Sequence, residues 1–218
     1  MPLNVPRYQK KDIIAFASDF YSQYNRVAGN VYLVDEAIEL GLGMDISPES
    51  GLYSKYDVDA FTTGDFRRIV IDDSLMGRSY GRYRFTLAHE VGHYVLHKDI
   101  LKTTDINTVN DWIEFHRSLN DADHKEMERQ CDIFASHLLM PIAKINPFLD
   151  EKFTQMKTDI DHLRGCGVPM DGINGIKSYM QNKLAREISS SFDVSVEAAE
   201  IRVKDNYRLL RAFAQYHR

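Results

Sequence analysis

The spacing of hydrophobic and polar residues in the first third of the chain predicts two helices and one strand. Hydrophobic residues recur near helical spacing over residues 9–25, which predicts an amphipathic helix. Residues 31–41 predict a second, shorter helix, and residues 41–51, with three glycines and a proline, predict a loop. The β-branched run 68–72 is flanked by polar residues and predicts a strand. A turn is expected after it, at Gly77 and Gly81.

Two stronger helical patterns lie in the middle of the chain. One covers residues 83–97, and the other covers residues 126–140 and ends at Pro141. The connection between them, residues 98–124, is polar and predicts irregular structure with a short helix around Trp112.

The last third of the chain predicts helices only. A stretch containing glycine and proline occupies residues 165–175, and two or three helices are expected from residue 176 onward. The predicted class is therefore α+β. A catalytic unit with a small sheet is expected over residues 1–150, and a helical region with a docking or regulatory role over residues 151–218.

Composition limits the classes of protein that remain. The chain has 218 residues, 44% of them hydrophobic, and a formal net charge of −5, which is typical of a folded domain and unfavourable for nucleic-acid binding. Two cysteines, Cys131 and Cys166, do not form a disulfide framework. No hydrophobic run is long enough to span a membrane, and residues 13–16 are too short for a signal peptide. A cytoplasmic location without a membrane partner is expected.

The predicted helix 83–97 carries the chemically informative motif His89-Glu90-Val91-Gly92-His93, an H-E-x-x-H pattern. Two histidines four residues apart lie about 40° from each other around a helix and one turn along it, so both imidazoles can reach one metal ion. The intervening Glu90 lies beside that ion, where it can hold the water that the metal activates. The alternative is a chance match on a surface helix.

A catalytic zinc site needs a third protein ligand and one open position. His97 lies about 12 Å from His89 along the helix axis at 1.5 Å per residue, so it is expected to support a ligand or to lie on the surface. Glu128, on the next predicted helix, is the better candidate. Asp132 lies one turn beyond it and can accept a hydrogen bond from a zinc-bound histidine.

Other interpretations of this second helix remain open. Glu126 points about 160° away from Glu128 around the helix and is the rival ligand. Cys131 is interpreted as a small buried residue, with a zinc thiolate as the alternative. Glu128 itself could be an ordinary ion-paired surface residue.

Two segments resemble those of the ImmA/IrrE-type metallopeptidases. Residues 84–97 are similar to the zinc-binding helix of that family, and residues 128–141 resemble its second motif, E-x-x-A-N/D-x-F-A-x-x-L-L-M-P. The resemblance covers residues 69–141 well. It implies a zincin-like core, with His89, His93 and Glu128 as Zn²⁺ ligands and Glu90 as the catalytic base. The pair Glu128 and Asp132 also resembles the E-x-x-x-D helix of thermolysin-like zinc peptidases.

The chain departs from the family pattern in three respects. Cys131 stands where alanine is common, and the connection 98–124 looks long. No N-terminal DNA-binding module of the kind that some relatives carry is expected in this chain.

The chemistry expected of such a site is peptide hydrolysis. Zinc with an open position polarises a carbonyl and lowers the pKa of its water to about 7, and Glu90 would carry the proton to the leaving amine. A side chain is expected to stabilise the oxyanion. The candidates are Tyr80, Tyr83, Tyr94 and His137, of which His137 faces away from Glu128 on its helix.

The resemblance implies a protein substrate, a helix-turn-helix repressor in the cytoplasm. One alternative is a general aminopeptidase or small-peptide hydrolase with the same metal. The other is a DNA-binding regulator that uses residues 183–204 as a helix-turn-helix. Glu197 and Glu200 would then face phosphates, and residues 183–218 hold seven Lys or Arg against five Asp or Glu. Direct nucleic-acid binding is therefore not expected.

Overall fold

A computed structural model describes residues 5–165 and 172–204. The chain divides into two compact units, Met1–Pro141 and Ile142–Arg218. Cys166 and part of the predicted stretch 165–175 lie outside the described residues. Among the described residues, no helix is long and apolar enough to cross a membrane.

The first unit contains a short hairpin and a small mixed sheet. The hairpin joins β1 (Val27–Ala28) and β2 (Val31–Tyr32). The sheet contains β3 (Asp45–Glu49), β4 (Ala60–Thr62) and β5 (Arg68–Asp72), with β5 in the centre, parallel to β3 and antiparallel to β4. The predicted strand 68–72 is confirmed as β5.

Helices make up the rest of the first unit. In chain order they are α1 (Lys10–Gln23), α2 (Val34–Glu36) followed by a π-helical stretch (Ala37–Leu42), α3 (Leu52–Tyr56), α4 (Ser74–Arg78), α5 (Tyr80–Leu96), α6 (Lys98–Leu101), α7 (Val109–Ser118) and α8 (Asp121–Leu139). The structure confirms the predicted helix 9–25 as α1, the predicted helix 83–97 as α5 and the predicted helix 126–140 as α8. The α+β class is confirmed as well.

Three of these helices, α1, α5 and α8, pack together to form the core beside the sheet. Helix α1 buries Ile13, Ala17 and Phe20, and the ring of Phe20 lies 6.0 Å from that of Phe134 on α8. Between α5 and α8 the backbones approach closely, because Gly92 presents no side chain to Cys131. The two helices that carry the motifs are therefore in direct contact.

The connection between α5 and α8 is more regular than its polar composition predicts. Residues 98–124 contain α6, α7 and the start of α8, so the short helix predicted around Trp112 is confirmed as α7, and the expectation of irregular structure holds only for the residues between these helices. Helix α7 is capped by Thr108, whose hydroxyl and Asp111 form a capping box. Its hydrophobic residues Val109, Trp112 and Phe115 lie on one face and are buried.

The predicted turn at Gly77 and Gly81 is wrong, and the predicted helix 31–41 is shorter than expected. Gly77 lies within α4 and Gly81 within the first turn of α5, and only Ser79 separates the two helices. Ser79 ends α4 and caps α5 by accepting a hydrogen bond from the backbone N–H of Arg82. The predicted helix 31–41 is confirmed in part, because residues 31–32 belong to strand β2 and the helical turns run from Val34 to Leu42.

The second unit is helical. It contains α9 (Ile142–Gly165), α10 (Gly172–Phe192) and α11 (Val196–Lys204), which confirms the predicted helices after residue 176 and adds α9. Asp193 adopts a positive φ of 53° in the turn between α10 and α11. Buried hydrophobic residues line both helices, among them Leu184, Ile188, Ala199 and Val203.

Candidate metal centre

Helices α5 and α8 bring His89, His93 and Glu128 together. His89 Nε2 lies 3.2 Å from Glu128 Oε2, and His93 Nε2 lies 3.6 Å from Glu128 Oε1. Two ligand atoms bound to one tetrahedral zinc ion are about 3.3 Å apart, given metal–ligand distances of about 2.0–2.1 Å. Each histidine nitrogen therefore lies about as far from one Glu128 oxygen as two ligands of one zinc ion lie from each other.

Two atoms of this group are buried and lack a partner. His93 Nε2 and Glu128 Oε1 have no hydrogen-bond partner among the described residues. Buried polar atoms are normally satisfied, since leaving one unpaired costs about 1–3 kcal/mol. A divalent cation bound between them would satisfy both atoms, so these residues fit the metal that the sequence motif implies.

The electrostatic environment divides the three side chains into different charge states. Burial by itself lowers the pKa of His89, but hydrogen bonds to Asp132 and Glu128 outweigh it and raise the pKa to about 10. Burial lowers the pKa of His93 well below its ordinary value, which leaves this imidazole neutral. Partial burial raises the pKa of Glu128, but its hydrogen bond to His89 outweighs this and holds the pKa below the ordinary value. A carboxylate and a neutral imidazole are both good zinc ligands.

Asp132 contacts the first histidine from the far side of its ring. Its Oδ1 lies 3.0 Å from His89 Nδ1, while His89 Nε2 faces Glu128. A carboxylate at this position keeps the proton on Nδ1 and directs Nε2 to the metal. Its role stays a prediction, but the geometry is the one that this role requires.

A separate chain of hydrogen bonds supports the second histidine. His93 Nδ1 lies 3.3 Å from His97 Nδ1, and His97 Nε2 lies 3.1 Å from Gln130 Oε1. Gln130 donates in turn to the carbonyl of Pro6 and to Glu126. With His93 coordinating through Nε2, its Nδ1–H donates to His97, whose Nε2–H donates to Gln130. His97 is buried, and it lies where a supporting residue would be rather than on the surface.

The two alternative metal ligands on α8, Glu126 and Cys131, have other surroundings than Glu128. Glu126 accepts hydrogen bonds from Arg129 and Gln130. Cys131 is fully buried, and its Sγ lies within 4.8 Å of a nitrogen of His89 and of His93. Burial raises the pKa of the Cys131 thiol well above its ordinary value. Since zinc binds the thiolate, a protonated thiol is a weaker ligand than the ionised Glu128.

Glu90 lies at the base of the cleft and is only 3% exposed. Its Oε2 accepts a 2.8 Å hydrogen bond from the hydroxyl of Thr62, at the end of strand β4. Burial raises the pKa of Glu90 to about 7, although the nearby His89 and the hydrogen bonds from Thr62 lower it. A carboxylate with a pKa near neutrality is well matched to both accepting and releasing a proton.

An open cleft of about 760 Å³ gives access to these groups. Its lining includes His89, Glu90, Glu128 and Asp132, together with Asp57, Asp59, Ala60, Phe85, Trp112, His116, Leu119 and His124. None of the four oxyanion donors proposed from the sequence belongs to this lining. Tyr94, for example, accepts a hydrogen bond from Lys98 instead.

Sequence reasoning did not find Thr62, Gln130, His116 or His124. Thr62 comes from a strand 28 residues before Glu90, and Gln130 lies between the two motif carboxylates without a recognisable spacing to His97. His116 and His124 belong to the connection that looked irregular. No periodicity links these residues to the H-E-x-x-H motif.

A histidine–carboxylate cluster on two packed helices, beside a small sheet, is the arrangement of the zincin-like peptidases. The family model Peptidase_M78, the IrrE N-terminal-like domain, matches residues 42–204. The chain belongs to this family, which confirms the resemblance to the ImmA/IrrE-type peptidases and supports a metal-dependent peptidase.

Solved structures resemble this chain in fold. A Mycobacterium tuberculosis transcriptional regulator matches it with a TM-score of 0.52 at 13% sequence identity, over 91% of this chain and 49% of that chain. This chain thus spans about half the length of the regulator, and at this identity the likeness concerns the fold alone. No curated protein matches the chain.

Proposed function

We propose that this chain is a zinc-dependent endopeptidase that cuts a specific cytoplasmic protein, a helix-turn-helix transcriptional repressor. The observation that carries the catalytic part is the convergence of His89, His93 and Glu128 beside the buried Glu90 in an open cleft. Membership of a peptidase family supports the same chemistry.

The residues of the cleft divide the work of hydrolysis. His89, His93 and Glu128 would hold the zinc ion, which when bound polarises the scissile carbonyl and acidifies a water molecule. Thr62 holds Glu90 through Oε2, which leaves Oε1 to take a proton from the attacking water. Glu90 then gives that proton to the leaving amine.

Strand β4 offers a way to present the substrate. It is at the edge of the sheet formed by the described strands β3, β5 and β4, and Ala60 lines the cleft. An extended peptide can pair with such an edge. Its backbone would then lie beside Glu90, which is hydrogen-bonded to Thr62 of the same strand. This mode of binding requires an extended segment in the substrate and suits an endopeptidase.

A comparison of substrates tests whether the enzyme is selective for a repressor. Zinc-loaded protein should be incubated with casein, with short peptides and with a repressor encoded beside its gene. We expect one discrete cut in the repressor and little digestion of casein. Rapid release of single residues from short peptides would instead favour the aminopeptidase alternative. Efficient digestion of casein with the repressor left intact would refute the proposal.

The helix-turn-helix alternative rests on α10 and α11, which a turn at residues 193–195 connects. Glu197 is exposed at the start of α11, where it would face the phosphates of bound DNA. We therefore expect no sequence-specific DNA binding by this segment. Fluorescence anisotropy with labelled duplex at about 0.1 M salt would detect it, and binding in the nanomolar range would support the alternative.

A further inference from the structure

Two histidines that the proposed catalytic site does not use lie beside Glu128. His116 is in the last turn of α7 and His124 in the first turn of α8, and their rings are 4.7 Å apart and nearly perpendicular. One nitrogen of each ring and one carboxylate oxygen of Glu128 all lie within 4.8 Å of one another. The side chains of His116, His124 and Glu128, here called the outer trio, thus form a second group of potential metal ligands.

A second observation points to a ligand at the outer trio. His116 Nε2 is buried and has no hydrogen-bond partner among the described residues, and the first metal site does not use it. His116 packs against Trp112 at a ring distance of 4.1 Å, which holds the imidazole in place. A held imidazole with an unsatisfied nitrogen beside a carboxylate is an environment in which Zn²⁺ binds well.

We propose that the outer trio is a second Zn²⁺ site, weaker than the first, with the Glu128 carboxylate bridging the two ions. Glu128 directs Oε2 toward His89 and Oε1 toward His93, and a carboxylate oxygen has a further lone pair that a second ion can share. Carboxylate-bridged zinc ions in hydrolases lie about 3.5–4 Å apart. The second ion binds more weakly because it shares the negative charge of Glu128 and is repelled by the first ion.

Occupancy of the outer trio has a consequence for catalysis, and this part alone rests on the proposed peptidase function. The second ion would lie in the cleft that also contains Glu90, where it obstructs the substrate. It also withdraws electron density from the carboxylate that holds the first ion. Excess zinc should therefore inhibit hydrolysis.

Equilibrium dialysis of the full chain against increasing Zn²⁺ tests the binding step directly. We expect wild type to bind one ion tightly and a second at a Kd at least tenfold higher. His124→Ala should abolish the second binding event and keep the first, and His93→Ala should abolish the first. Lys125→Ala, at the exposed neighbouring position of α8, should keep both. Circular dichroism of each variant establishes that it is folded.

A wild-type protein that saturates at one zinc ion would overturn the second site and leave the peptidase proposal standing. Two ions that persist in both His124→Ala and His116→Ala would also overturn it, because the second ion would then lie elsewhere. For inhibition, peptidase activity at zinc tenfold above the second Kd should fall about tenfold in wild type, in line with occupancy. The ratio of activities at high and low zinc should stay near one in His124→Ala.

Discussion

At the scale of single residues, the environment of Glu90 explains how an ordinary carboxylate becomes suited to moving protons. It is almost fully buried, and its one described side-chain hydrogen bond comes from the neutral Thr62 hydroxyl rather than from a cation. Burial therefore dominates and raises its pKa to about 7. The side chain can accept a proton at neutral pH and release it again within one catalytic cycle.

Glu90→Gln should keep the fold and the metal but lose hydrolysis, because an amide of nearly the same shape cannot accept the proton. A fall of about 10²–10⁴-fold in kcat is expected for the loss of a general base. Bound zinc should be measured in the same preparation, so that loss of metal is distinguished from loss of the base. Turnover at the wild-type rate would contradict the assigned role.

Asp132 is a second single residue with a specific role, because its Oδ1 lies 3.0 Å from His89 Nδ1 and can orient that imidazole. Asp132→Ala should weaken zinc binding by about 10–100-fold, because the imidazole loses the group that orients it. Competition with a chromogenic chelator measures this change. Asp121→Ala serves as the control, because it removes a carboxylate at the start of the same helix, about 16 Å from Asp132 along the helix axis. Equal zinc affinity in Asp132→Ala and wild type would exclude the orienting role.

At the scale of secondary-structure elements, the site depends on how closely α5 approaches α8. A Cβ built at Gly92 would lie 3.1 Å from the Cα of Cys131 and 3.2 Å from its Cβ. Both residues are buried, so the contact involves backbone that cannot move aside as an exposed side chain can. Helix propensity favours alanine over glycine by about 1 kcal/mol, so the close approach explains why a glycine stands here.

Gly92→Ala should separate the two helices and displace Glu128 from the histidines. We expect a loss of about 1–3 kcal/mol in the free energy of unfolding, typical of overpacking, together with weaker zinc binding. Gly77→Ala is the matched control, since no atom lies within 4 Å of a Cβ there. It should be neutral or slightly stabilising. Urea unfolding of both variants checks the difference, and equal stability would argue against a tight helix contact.

At the scale of the whole molecule, metal binding and stability of the first unit should be linked. The buried unpartnered atoms of His93 and Glu128 destabilise the metal-free protein, and an ion that binds only the folded state stabilises it. Purified protein is expected to carry about one tightly bound zinc ion per chain.

Removal of zinc with a chelator should lower the melting temperature, and adding zinc back should restore it. At free zinc about 1,000 times the Kd, the stabilisation is about 4 kcal/mol. This corresponds to a shift of about 8–16 °C for a chain of this size. His93→Ala and Glu128→Ala should show no such shift, and full zinc retention in Glu128→Ala would move the third ligand elsewhere. Scanning calorimetry with and without zinc makes the comparison.

The sequence by itself determined the features that depend on neighbouring residues. Helix α5 was predicted correctly from its helical periodicity and strand β5 from its β-branched run, and the spacing of His89 and His93 is a property of helix geometry alone. The two motifs were sufficient to indicate the family. The short helix predicted around Trp112 is α7, but its packing against Phe61 of the sheet becomes visible only in the folded structure.

Only the tertiary structure decided which distant side chains meet. Thr62 reaches Glu90 from a strand, Gln130 reaches His97 across a helix interface, and His116 reaches Glu128 from the connection between the motifs. These contacts join segments that no local period relates, so a single sequence carries no signal for them. The same holds for the pKa of Glu90, because burial is a property of the packed core rather than of the residue.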